Sequence, residues 1–258
     1  MTPWLRVLVL FVAIVAAAFF LRVLPPLVVL VLFVGGVAYA NYLLTLKPRT
    51  ETARTTAQLL GLRADPGGIA LSAFPFALLE RGREHEVSDA MSGRWKGSEV
   101  RLFDLSYGLS IPIEGADARR SFTCLVAPAP VDAPHTVVEP RGFLTPDTER
   151  PSLPVVEVAS EPFRAAFDVR SADAAFVDAL FDPRLIEWFL GQEERWGVEL
   201  RGSVLLWYTQ RVPPKDRDLV LAGLTAFLER LPEGVREGYP APTAGAIPNP
   251  PVDLEPDD

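Results

Sequence analysis

One cysteine, two histidines and three lysines are all that these 258 residues contain of those types. A single thiol, Cys124, excludes an internal disulfide, so nothing in the chain demands an oxidising compartment. His85 and His135 lie fifty residues apart, and with one cysteine they do not make the ligand spacing of a structural zinc site. No P-loop, no G-x-G-x-x-G turn, and no G-x-S-x-G, H-E-x-x-H or C-x-x-C motif occurs. The reading is therefore of a chain with no metal and no cofactor.

Acidic residues are missing altogether from the first fifty positions, where Arg6, Arg22, Lys47 and Arg49 are the only charges. Removing those four from the 25 basic residues leaves 21 against 33 acidic ones, a net of −12 for the remainder. Such a domain makes a poor nucleic-acid binder, because phosphate neutralisation supplies most of that affinity. Its net charge is also repelled by anionic headgroups. The excess of arginine over lysine, with much alanine, valine and proline, reads as a bacterial coding bias and carries no functional meaning.

What the leading stretch has is a long apolar run, cut by Pro25-Pro26. We read it as a two-helix transmembrane hairpin over residues 1–48, with residues 4–46 in contact with the lipid bilayer. The uncharged core Val7–Leu21 has 15 residues, about 22 Å of helix against roughly 30 Å of hydrocarbon. Arg6 and Arg22 therefore belong near the interfaces, with Trp4 as an interfacial anchor. The second span, Val23–Leu46, has 24 residues and crosses with some tilt. Gly36 and Ala40 form a small-x-x-x-small pair that lets helices approach closely. A cleaved signal peptide ending near Ala16-Ala17-Ala18 is the competing reading. The apolar core continues past it, and a second span follows, so a retained anchor is expected. Lysine and arginine flank the outer ends of the hairpin, which places both termini in the cytoplasm of a bacterial plasma (inner) membrane.

The expected organisation continues with a juxtamembrane helix and linker over 49–68, a soluble domain over 69–232, and a disordered, proline-rich acidic tail over 233–258. The fold class is α+β, a mostly antiparallel sheet with two or three packed helices. Two hairpins are expected. The first has a type II′-like turn at Gly97-Ser98, and the second turns at Gly202-Ser203 between Trp196–Arg201 and Val204–Tyr208. Further strands are expected at Ser121–Ala127, Thr136–Glu139, Val155–Ala159 and Phe163–Arg170. Loops are expected over 108–120 and 128–154. Ser171 reads as the cap of a helix through Phe181. Asp182-Pro183 starts another that ends at Gly191, and Lys215–Leu231 makes a third with one apolar stripe.

Asp104 and Tyr107 stand at the end of an apolar strand, where a carboxylate could act as general base, or could equally bond loop amides or pair with an arginine. His85 sits in a charged run that reads as a solvated loop. Cys124 reads as a small buried side chain rather than a nucleophile.

The spacing of Gly93, Trp95 and Gly97, of Val100, Phe103, Asp104 and Tyr107, of Phe167, Val169, Ser171 and Asp173, and of Leu185 and Trp188 resembles uncharacterised actinobacterial membrane proteins with a domain of unknown function. The resemblance spans roughly residues 70–210 and implies a membrane-tethered domain, with no activity or site. Three functions follow as expectations. The first is a membrane-anchored cytoplasmic interaction or scaffold module, non-catalytic, that engages a protein partner through its domain or tail. The second is a membrane-bound hydrolase or transferase using Asp104, Tyr107 or His85. The third is an accessory subunit of a membrane complex.

Overall fold

In the computed structural model, residues 34–36, 47–109, 119–143, 145–146 and 149–242 are described. The chain divides into a unit of residues 1–51 and a unit of residues 52–258. Among the described residues no helix is long and apolar enough to cross a membrane. The expected hairpin falls almost wholly outside them.

The larger unit is an α+β domain around one six-stranded antiparallel sheet. Helix α1 (Lys47–Leu59) leads into a two-residue strand, β1 (Arg63–Ala64), through Gly61. Ala57 and Leu62 are buried in the main core, so the chain is already part of the sheet layer before the 65–68 turn. After a short helix, α2 (Ala77–Glu80), β2 (Arg83–Trp95) and β3 (Ser98–Gly108) form the first expected hairpin. Its turn differs from expectation. The two connecting residues are Lys96 and Gly97, both at positive φ (47° and 87°), which is the primed geometry that matches strand twist.

Strand β4 (Arg119–Pro140) organises the rest. On one side its start pairs with β3 and its end with β5 (Phe167–Ser171). On the other side β6 (Gly197–Gln210) pairs with both halves, from Phe122↔Gln210 to Val138↔Val198. The second expected hairpin is thus absent: β6 is one strand, and Gly202 (φ +61°) lies opposite Ala133 at a break in register. A glycine-serine pair inside a strand marks a bulge as readily as a turn. The expected loop over 128–154 is likewise strand as far as Pro140, with Pro128, Pro130 and Pro134 gathered around the same break. Strand 155–159 reduces to one bridge, Val155↔Arg170.

The expected strand over 163–170 begins instead as helix α3 (Glu161–Ala166), capped by Ser160 accepting from the Phe163 amide. Helix α4 (Ala174–Leu180) is capped by Asp173 rather than Ser171. Helix α5 (Pro183–Leu190) has the expected Asp182 cap, proline start and Gly191 end. Helix α6 (Arg217–Glu229) carries an apolar stripe of Val220, Leu221, Gly223, Leu224 and Phe227, but it also buries Arg217 and leaves Leu219 49% exposed. Residues Glu233–Gly238 form helix α7 with Val235 fully buried, and Pro240 bridges Val131. A disordered tail from 233 is therefore corrected for residues 233–240; positions 243–258 lie outside the described residues.

Both faces of the sheet are covered. Leu102, Leu125 and Trp207 meet Phe163, Phe176, Phe189 and Phe227 from the helices. Phe103, Leu105, Tyr107, Phe122, Cys124 and Tyr208 are covered by Phe74, Phe76, Leu78, Leu79 and Phe143. Two-sided burial explains why β4 opens as a continuous apolar run instead of alternating.

Candidate functional site

Alternation along β3 separates the two strongest sequence candidates. Leu102 belongs to the helix-side core, whereas Phe103, Leu105 and Tyr107 belong to the other. Asp104 therefore points to the helix side and Tyr107 to the opposite face.

Asp104 is 1% exposed and fully engaged. Its Oδ1 accepts from the Thr123 hydroxyl at 2.8 Å. Its Oδ2 accepts from Arg211 Nε at 2.8 Å and Arg217 Nη2 at 3.0 Å. Arg217, 0% exposed at the start of α6, also reaches Asp89 on β2 at 3.1 Å. Burial pushes the Asp104 carboxyl above its ordinary value, against the opposing pull of Arg217, Thr123 and Arg211. The group is a cross-link between β3, β4, the segment after β6 and α6. Two cations and a hydroxyl hold the oxygens that a general base would turn toward substrate.

Tyr107 is 1% exposed, stacked on Phe122 with centroids 6.1 Å apart, and burial pushes its phenol up to about 12. His85 is exposed; its Nε2 pairs with the Arg81 carbonyl at 2.7 Å, and its ring lies 6.1 Å from that of Tyr107. The structure thus brings His85 and Tyr107 together and leaves Asp104 behind the sheet. Cys124 is buried and free, and burial raises its thiol well above the ordinary value, as the packing reading expects.

The segment over 69–81 is pinned by polar groups that the sequence pattern assigns to a wet face. The Glu199 carboxylate, 0% exposed on β6, accepts from the Ala77 amide (2.6 Å), the Leu78 amide (3.2 Å) and His135 Nε2 (2.7 Å). Arg81 makes a two-pronged pair with Glu139 on β4. Arg201 donates to the Pro75 carbonyl at 2.6 Å. Beside these lies an open cleft of about 470 Å³, lined by Glu80, Arg81, His135, Glu149, Arg150 and Arg201 among others. Of the lining side chains, Arg81 pairs with Glu139 and Arg150 with Asp168 at 2.9 Å, while His135 hydrogen-bonds the Glu199 carboxylate. Among the described residues, no group of three or more histidine, cysteine, aspartate or glutamate side chains is placed to hold a metal ion.

No protein-family model matches this chain, and no curated protein matches it. A solved structure shares the fold: the crystal structure of the mycobacterial trehalose monomycolate transport factor A, TtfA, is 12% identical, with a TM-score of 0.52, covering 74% of this chain and 97% of that one.

Proposed function

We propose that the chain is a membrane-anchored, non-catalytic module whose domain holds a protein partner at the cytoplasmic face of a bacterial plasma membrane. The observation that carries this reading is the state of Asp104. The carboxylate best suited to chemistry is held by Thr123, Arg211 and Arg217 and serves to tie helix to sheet. The apolar lead of the sequence supports the anchor, and the positive residues around it support the side. The accessory-subunit form of this reading gains support from the fold shared with TtfA, which by its name is a transport factor for trehalose monomycolate.

The test is native purification of the tagged full chain from membranes, followed by mass spectrometry of what stays bound. We expect the chain to remain with the membrane after an alkaline carbonate wash and to carry a membrane-protein partner in fixed ratio. Release by the wash would remove the anchor. An enzymatic turnover abolished by both His85→Ala and Tyr107→Phe in a folded chain would replace the scaffold reading with the hydrolase or transferase one.

A further inference from the structure

We propose that the segment over 153–158 is an open sheet edge on which the partner lays an extended strand; this rests on the partner-holding role given above. Register fixes the geometry. Val155 bridges Arg170 of β5 antiparallel, with the Ser171 amide donating to the Pro154 carbonyl at 3.0 Å and the Val156 amide to the Val169 carbonyl at 2.9 Å. In that pattern the bonds flank the bridged pair. Pro154 and Val156 turn their main-chain groups toward β5, and Val155 turns its own N–H and C=O the other way. The side chains alternate as an extended segment requires. Val156 packs on the helix-side core and Val158 is buried in it, whereas Val155 is 57% exposed and Glu157 is exposed in the same phase. Neither Val155 nor Glu157 makes a main-chain bond to a described residue. The carbonyls on either side, Leu153 and Val158, are taken by Arg170 and Arg164, so the open stretch is short and bounded. The usual guards of an edge do not protect it. No lysine stands there, and the missing N–H of Pro154 falls on the flank that faces β5.

Such a flank takes up a strand through main-chain bonds, and the side chains beside it set which strand fits. Opposite Val155 an apolar side chain fits, and opposite Glu157 a lysine or arginine. A segment carrying that cation also matches the net of −12 beyond residue 50. A second copy brings the same negative charge and is repelled. The chain's own residues 243–258 fit no better. Pro248, Pro250, Pro251 and Pro256 lack the N–H that a ladder needs, and the four acids among those residues would meet Glu157. The occupant is a basic, extended segment of a different protein.

A photo-crosslinking amino acid at position 155 of the full chain, activated in membranes, tests the idea together with two variants. Crosslinks are expected on one contiguous stretch of one other protein, a stretch that carries lysine or arginine. Val155→Pro deletes the outward N–H, and Glu157→Lys reverses the charge beside it. Each should lower recovery of that protein roughly ten-fold, the effect of leaving one main-chain acceptor unpaired or of setting cation against cation. The urea midpoint should stay unchanged in both. Should Val155→Pro shift it, Glu157→Lys, at an exposed position, decides alone. Undiminished recovery, or crosslinks confined to a second copy or to residues 243–258, would overturn the proposal without touching the partner-holding role. A wild-type chain that retains no protein at all would sink that role, and this inference with it.

Discussion

Gly197 leaves no room for a side chain. A Cβ built there would stand 2.3 Å from the Tyr208 ring, which is itself fully buried on the same strand as it curls around. Gly197→Ala must displace that ring from its edge contact with Phe122, 5.9 Å between centroids. Overpacking of this kind costs about 1–3 kcal/mol. We expect a lower urea midpoint with an unchanged slope, and an unchanged midpoint would show that the ring moves aside freely. The buried polar residues were only half legible in the sequence. That Asp104 and Tyr107 are buried follows from their apolar neighbours, and the arginine-paired reading of Asp104 holds. Its partners were not legible, because Arg217 and Arg211 lie 113 and 107 residues away. Arg217 is wholly buried although a charged residue is ordinarily solvated. Glu199 is wholly buried as well. Local alternation assigns a face, but it does not reveal that a loop over a hundred residues distant will cover that face and need an acceptor.

That covering loop depends on Glu199. Helix α2 is a single turn of four residues, too short to hold itself together. Its first amides bond to the Glu199 carboxylate in place of a capping residue of their own; Phe76, at the cap position, supplies none. Glu199→Gln keeps one carbonyl oxygen and turns the other acceptor into a donor, which faces an amide or His135. We expect the Ala77 and Leu78 amides to lose protection by hydrogen exchange while those of β4 and β6 keep theirs. Loss throughout the domain would mean that the segment is no separate unit. Local chemistry made α5, α6 and the β2–β3 hairpin readable: Asp182-Pro183 to start, Gly191 to stop, a stripe at helical spacing, and a glycine near a two-residue turn. The errors cluster where one local signal serves two geometries. Gly202-Ser203 suits a turn or a bulge, the prolines of β4 suit a loop or a bent strand, and the apolar run at 163–167 suits helix or strand. Tertiary pairing decided each case.

For the domain as a whole, the carboxyl-terminal boundary is set by burial. Val235 is wholly buried, the Tyr239 ring meets Phe176 at 4.9 Å, and its hydroxyl donates to Asp173 at 3.1 Å. The Asp132 amide donates to the Tyr239 carbonyl at 2.9 Å. A chain ending at Pro242 should therefore match the full chain in urea midpoint. One ending at Leu231 should lose about 2–4 kcal/mol, from removing the fully buried Val235 and the half-buried Tyr239, a sizeable share of an ordinary domain's stability. Equal midpoints for both truncations would show that α7 is an appendage. Composition had placed this boundary too early, because proline and acidic residues begin before the last core contacts end.

The pairing of β4 with β6 has a consequence for how the protein is made. Phe122 waits for Gln210 and Val138 for Val198. During synthesis β4 therefore emerges with one whole flank of amides and carbonyls bare, and the strand that seals it comes from the ribosome near the end of translation. Until then each nascent chain exposes an adhesive edge next to its neighbours, an interval in which a holding chaperone would decide the yield.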